Sequence, residues 1–192
     1  MKILQTTRTL VVSFLLLSVI TGVLYPLLCT GLGQLFLKQQ VNGSLIEERG
    51  QVRGSTLIGQ PFQSPQYFWG RPSATANFPH NGEASGGSNL GPSNPALRQA
   101  VQERIQALHA ADPSNRAAIP SELITASASG LDPHISPAAA EYQVSRVAKA
   151  RGMTSEQVRA TVKQYTQAPQ WGIFGEERVN VLELNLALDR HH

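Results

Sequence analysis

From Leu10 to Leu28 the chain reads LVVSFLLLSVITGVLYPLL, and thirteen of these nineteen positions are Leu, Ile, Val or Phe. No charged residue interrupts the block between Arg8 and Lys38. About 20 apolar residues at a rise of about 1.5 Å each cross a hydrocarbon core, so the block predicts one transmembrane helix within 10–37. Central Leu, Ile, Val and Phe each favour insertion by roughly 0.3 to 0.6 kcal/mol. A cleaved signal peptide fits less well, because cleavage needs small residues and the chain has no alanine before Ala74. Pro26 and Leu28 likewise stand where a lipoprotein box at Cys29 would need leucine and a small residue.

Beyond residue 38 the pattern changes. Val52 to Phe62 (VRGSTLIGQPF) is a short apolar patch bounded by Gly and Pro and predicts an extended segment. From Gly59 to Asn94, twenty of thirty-six residues are Gly, Pro, Ser or Asn, too many turn formers for long regular elements. A solvated linker has little use for Phe62, Tyr67, Phe68, Trp69 and Phe78, so the segment reads as an ordered loop held down by its rings or docked on a partner.

Helices are predicted next. Asn94-Pro95 opens one with Leu97, Val101, Ile105 and Leu108 on a single face, ending at Asp112-Pro113. Ile119 to Ser129 (IPSELITASAS) reads as a second strand. Ser136-Pro137 caps a helix with an Ala140, Val144, Val147 and Ala148 stripe, stopped by Gly152. Thr154 and Gln157 form a capping box for a third helix carrying Val158, Val162 and Tyr165. The tail VNVLELNLALD alternates like a strand, but Asn180 with Glu183 and the Leu, Glu and Ala content favour helix. The fold class is therefore an α/β (α+β) soluble domain over 38–192 behind one N-terminal transmembrane helix.

Charge adds an orientation. Lys2, Arg8 and the terminal amine flank one end of the apolar block, whereas Lys38 is followed by a mixed Glu47, Glu48, Arg49 cluster. The positive-inside bias places residues 1–9 in the cytoplasm and the large domain outside it, in the periplasm of a bacterium. The net charge of +3 comes from scattered arginines, without the basic stripe that nucleic-acid binding requires. Ser18, Gly22, Pro26 and Thr30 recur every fourth residue, as a stripe on which another membrane helix packs closely or as the ordinary Gly and Pro content of spanning helices.

The chemistry is sparse. No GxxxxGK[ST] loop is present, GEASGG at 82–87 is not a nucleophile elbow, and the single cysteine rules out a Cys-based metal site. The sharpest candidate is Asp132 and His134 with Ser127 or Ser129, which suggests a membrane-tethered hydrolase using His134. Pro133 and the helix cap at Ser136 instead force Asp132 and His134 into a tight turn, where Asp132 accepts turn amides and His134 serves a buried carbonyl. The terminal His191-His192 pair carries no information.

The blocks GSTLIGQPF (54–62), YFWGRPSAT (67–75), SNLGPSNPAL (88–97), LITASASGLDPHISPAAAEYQVSRVAKARG (123–152) and RVNVLELNLALD (178–189) occur in this order. Together with the spanning helix they resemble the C chain of the bacterial Kdp-type potassium-transporting ATPase. Ala128 and the aromatics of Trp171 to Phe174 are small departures. The resemblance implies a non-catalytic subunit in the bacterial inner membrane, without a cofactor of its own. Its implied partners are a channel-like chain that selects potassium, a P-type ATPase chain that hydrolyses ATP and a small lipid-like chain. It implies one of two roles: a catalytic chaperone holding ATP with the pump chain in a ternary complex, or an external cap at the potassium entrance. The charge flanks favour the cap. Expected partner contacts are Ser18, Gly22 and Pro26 in the membrane, and Tyr67, Phe68, Trp69, Arg71, Asp132 and His134 outside.

Overall fold

The structure, a computed structural model, describes residues 2–190. The terminal amine and the terminal histidines considered above lie outside that range. The chain divides into two compact units, one through Leu45 and one from Ile46.

The first unit is helical: α1 (Lys2–Val19), a π turn (Ile20–Leu24) and α2 (Tyr25–Phe36). The π turn has a local cause. Pro26 has no N–H to offer the Gly22 carbonyl, and its ring would crowd that carbonyl in a regular helix. The chain takes up one extra residue instead, and the Tyr25 N–H bonds the Ile20 carbonyl. Leu15, Leu16, Leu17, Leu24 and Leu28 are all more than half exposed, as are Phe14 and Leu27 on other sides. A helix apolar all round and uncovered by protein is suited to lipid. The 34 residues Ile3–Phe36 measure about 50 Å at the helical rise, more than the roughly 30 Å hydrocarbon core, so the span tilts or extends beyond the core. Leu37 leaves helical geometry, and a single turn, α3 (Lys38–Val41), follows. Gln34 and Asn42 exchange amide hydrogen bonds of 3.1 and 3.2 Å across this end.

From the last residue of the first unit the chain enters a hairpin, β1 (Leu45–Glu48) and β2 (Gln51–Ser55), turning at Arg49 and Gly50, both at positive φ. The extended segment predicted over 52–62 stops at Ser55. There the Ser55 hydroxyl accepts the Leu57 N–H, bending the chain, and the Gly59 N–H bonds the Leu131 carbonyl. The strand predicted at 119–129 is absent: a 3-10 turn (Ser121–Leu123) leads into irregular chain. Its hydroxyls compete with ladder formation, since Thr125 bonds the Ser121 carbonyl and Ser127 and Ser129 take the amides of Gly130 and Leu131.

The helices are α4 (Pro95–Ala111), α5 (Pro137–Arg151), α6 (Ser155–Gln164) and α7 (Val181–Asp189). Each begins as the sequence predicts: the side chains of Asn94, Ser136, Thr154 and Asn180 accept main-chain amides of the first turn, and the Thr154–Gln157 box is complete. Gly152 ends α5 at φ 64°. A small antiparallel sheet, β3 (His134–Ile135), β5 (Arg178–Asn180) and β4 (Thr166–Gln167), runs in the order β3-β5-β4, with Ile135 and Thr166 both opposite Val179. The tail is thus a short strand that passes into a helix at its Asn180 cap. Ile135, Val144, Val147, Val158, Val179, Leu184 and Leu188 form the core, and Phe68 from the turn-rich loop joins them fully enclosed. On α4 only Leu108 of the predicted stripe is buried, and Leu97, Val101 and Ile105 lie at the margin.

Candidate functional site

The loop from Gly59 to Asn94 is ordered, and polar side chains of two helices order it. Residues 65–69 run past α5 and α7 with no strand beside them, so their main-chain groups need side-chain partners. The Asn185 carboxamide accepts the Phe68 N–H at 2.8 Å and donates to the Phe68 carbonyl at 3.0 Å. Gln143 repeats the device one residue on, accepting the Trp69 N–H at 2.8 Å and donating to its carbonyl at 3.0 Å. Arg146 donates to the carbonyls of Pro65 and Tyr67 at 2.6 and 3.0 Å, and its guanidinium lies 4.6 Å from the Trp69 ring centre. Burial lowers its pKa to about 10, leaving it charged at neutral pH. Arg151 bonds the Gln66 carbonyl and Asp189, both at 2.7 Å, beneath the Tyr67 ring. The Tyr67 hydroxyl donates to the other Asp189 oxygen.

The expected contact residues of this loop therefore face inward. Phe68 is enclosed, Tyr67 and Trp69 are half-buried over arginines, and Phe62 packs against Tyr67. Phe78 is the exception among the five rings, at 57% exposed. Gln143, Arg146, Arg151, Asn185 and Asp189 were not singled out from the sequence. In a helix their spacing marks only a polar side chain on or beside an apolar stripe, and nothing local says that a loop 74 to 122 residues away needs it.

A second cluster surrounds the turn before β3. Arg71 Nη1 donates to Asp132 Oδ2 at 3.1 Å, and Asp132 Oδ1 accepts the His134 N–H at 3.0 Å. The imidazole Nδ1 stands 3.6 Å from the same oxygen, beyond a hydrogen bond. Burial alone would raise the Asp132 pKa; the imidazole and amide of His134, with the Arg71 guanidinium, lower it to about 2. Asp132 thus accepts a turn amide, as expected, while the His134 imidazole faces a carboxylate where a buried carbonyl was expected.

The candidate serines are engaged elsewhere. Ser127 and Ser129 lie within 3.2 Å of each other and bond the turn amides, while Gly130, at φ 69°, packs so tightly that a Cβ would approach the Gly86 carbonyl to 2.7 Å. Among the described residues no hydrogen bond joins His134 to either hydroxyl, and no three His, Cys, Asp or Glu side chains converge as metal ligands. The hydrolase reading is not supported. What Arg71, Asp132 and His134 do is fix a turn at the half-buried surface of the domain.

In the span, Ser18, Gly22 and Pro26 are exposed, and a Cβ on Gly22 would meet nothing within 4 Å. Gly22 and Pro26 are also the pair around which the π turn forms. One further exposed feature is apolar: Trp171, Ile173 and Phe174, on the connection between β4 and β5, are 82, 79 and 61% exposed.

The family described as "KdpC: K+-transporting ATPase, c chain" matches residues 7–190. A protein named potassium-transporting ATPase KdpC subunit from Variovorax paradoxus (strain S110) is 61% identical over 182 residues, covering 95% of this chain and 94% of that protein. The same-named protein of Herpetosiphon aurantiacus is 60% identical over 183 residues, covering 95% of each chain. That of Methylococcus capsulatus is 61% identical over 172 residues, 90% of each.

Proposed function

Since the chain belongs to the KdpC family of K+-transporting ATPase c chains, we propose that it is a non-catalytic accessory subunit of an ATP-driven potassium uptake complex, its second unit acting outside the cytoplasm as a cap beside the potassium entrance. The observation that carries this reading is the use of the polar groups. Gln143, Arg146, Arg151 and Asn185 hold the 65–69 backbone, and Arg71, Asp132, Ser127 and Ser129 hold the turn, so the groups best suited to chemistry are committed to architecture. A rigid domain on a lipid-exposed helix serves to be placed against partners. Those partners are the channel-like chain, the P-type ATPase chain and the small lipid-like chain.

The charge flanks of the span support the outward placement, with Arg8 on the near side and the mixed Glu47, Glu48, Arg49 cluster on the far side. A cap outside acts on ATP hydrolysis inside only through coupling across the membrane, which reads as a change in apparent ATP affinity of the pump chain without nucleotide contact. The test is an Ala150→Cys chain, in a Cys29→Ser background, treated in intact cells with a membrane-impermeant thiol reagent. Residue 150 is exposed at the end of α5, and Cys29 is the single native cysteine. Labelling is expected; labelling only after the cells are permeabilised overturns the outer cap. Removal of residues 46–192 from the full complex is expected to abolish assembly or high-affinity uptake, and unchanged uptake overturns the accessory role itself.

A further inference from the structure

The connection between β4 and β5 narrows to a rigid tip. Gln170 and Phe174 face each other across an isolated bridge, the Gln170 N–H bonding the Phe174 carbonyl at 2.8 Å and the Phe174 N–H bonding the Gln170 carbonyl at 3.0 Å. The Gly172 N–H closes onto the Pro169 carbonyl at 2.9 Å. Within this frame Trp171 adopts φ 55°, a left-handed conformation that is an outlier for a bulky side chain. Its indole stands edge-on to Phe174, ring centres 6.0 Å apart. Three large apolar side chains are therefore held out into solvent on an ordered, strained turn, whereas the aromatics of the 65–69 segment are turned inward.

The charges next to the tip choose between occupants. Glu176 and Glu177 follow it directly, both exposed and, among the described residues, outside every ion pair, while the exposed Arg178 after them turns its Nε to Gln167 Oε1 at 3.2 Å, so the strip carries one net negative charge. Two free carboxylates beside the apolar group oppose an anionic lipid surface and complement a cationic one. Size chooses further. Large aromatics bury about 150–250 Å² each, so this tip covers about 500 Å² on its own side, short of the roughly 800 Å² per partner of an independent interface. Such a contact becomes effective when the two proteins are already tethered, as a shared membrane and the α1–α2 span would tether them.

We infer that the 170–175 tip is a plug, in which Trp171 and Phe174 enter an apolar pocket with a basic rim on the aqueous face of a membrane-embedded partner subunit, and Glu176 and Glu177 pair with that rim. This rests on the accessory-subunit reading above and adds the surface through which the domain engages. A buried tryptophan at the centre of a contact is the usual hot spot, and the carboxylates make the attachment salt-dependent.

The test uses the whole complex, purified through a tag on a partner subunit, and measures how much of this chain is retained against rising salt. Trp171→Ser/Phe174→Ser is expected to weaken retention about thirtyfold, the change a hot-spot residue brings. Glu176→Lys/Glu177→Lys is expected to lose retention at low salt, with the loss relieved as salt rises. Both alter exposed side chains, and the urea midpoint of each variant chain confirms that it folds. Unchanged retention of the serine double variant overturns the plug, even if removal of 46–192 abolishes uptake; harmless removal of 46–192 overturns the accessory role instead. A third arm addresses the bilayer: the full chain alone is reconstituted in vesicles with brominated lipid, beside its Trp171→Phe variant. No quenching attributable to Trp171 is expected, and strong quenching assigns the tip to lipid and overturns the protein pocket.

Discussion

The carboxamide of Gln143, in the middle of α5, closes a pair of hydrogen bonds with the amide and carbonyl of Trp69, a residue seventy-four positions earlier in a loop without regular structure. Gln143 is 1% exposed and its Oε1 also receives Arg146 Nη2 at 2.7 Å, so its oxygen and nitrogen are both fully used. With the matching pair between Asn185 and Phe68, it replaces the neighbouring strand that residues 68 and 69 lack. Residues 68 and 69 are held without a neighbouring strand because two helices each supply one amide side chain, while Arg146 and Arg151 bond the carbonyls just before them.

Gln143→Ala leaves the Trp69 amide and carbonyl without partners in a half-buried setting, at about 1–3 kcal/mol for each such group. The second unit is expected to lose about 2–4 kcal/mol, read as a lower urea midpoint, with faster proteolysis inside 59–94. Gln143→Glu keeps the acceptor for Trp69 and Arg146 but loses the donor, and is expected to fall between the two.

Two glycines at similar dihedral angles separate backbone strain from space. Gly152 at φ 64° has nothing within 4 Å of a built Cβ, so Gly152→Ala is expected to cost about 1–2 kcal/mol from the left-handed conformation alone. Gly130 at φ 69° would bring its Cβ to 2.5 Å from Thr75 Cγ2 and 2.7 Å from the Gly86 carbonyl. Gly130→Ala is therefore expected to be clearly the more damaging in thermal unfolding, and an equal effect would mean that the 86–87 segment yields.

Acid lability should concentrate at the turn. The folded pKa of Asp132, about 2, lies below its ordinary value of 3.8, so its stabilisation is complete above pH 4 and is lost as pH falls toward 2. That contribution is at most about 2 kcal/mol. Burial also lowers the His80 pKa, partly offset by its bond to the Gly130 carbonyl, so acid must charge a ring that the fold favours neutral. Stability from His80 is held above the ordinary histidine range and falls as pH drops through its lowered folded value. Asp132→Asn is expected to flatten the unfolding free energy between pH 4 and 2, measured by urea titration at each pH. An unaltered slope would exclude Asp132 as its source.

Gly22→Leu adds a large side chain where the isolated chain has open space, so the second unit's unfolding should not change. If the Ser18, Gly22 and Pro26 face packs against another membrane helix, the same variant should reduce copurification with partner subunits about tenfold. Pro26→Ala is expected to restore the missing N–H and let the π turn relax to α-helix, rotating residues on one side of it by about 100° relative to the other. A signature of that rotation is an altered pattern of cysteine crosslinks along α1 in the complex.

Much of this protein is decided by local physics and is readable in the sequence. The span follows from an uncharged apolar block too long for an ordinary core. The four helix starts follow from Asn94, Ser136, Thr154 and Asn180, because a capping side chain acts within three residues of itself. The inward stripe of α5 follows from periodicity, and the family resemblance follows from motif blocks that occur in a fixed order. The strand expected at 119–129 failed because hydroxyl side chains satisfied amides two and three residues away, a competition that alternation of small and polar residues does not reveal. Tertiary structure decided the rest. Whether Tyr67, Phe68 and Trp69 face a partner or the core depended on Gln143, Arg146, Arg151 and Asn185, whose partners lie 74 to 117 positions away. Whether Trp171 and Phe174 are core or display depended on a bridge that turns the chain back before either ring reaches the sheet. Hydrogen bonds between distant segments are chosen by the packed fold, and a residue's type constrains what it can bond without saying which groups will be within reach.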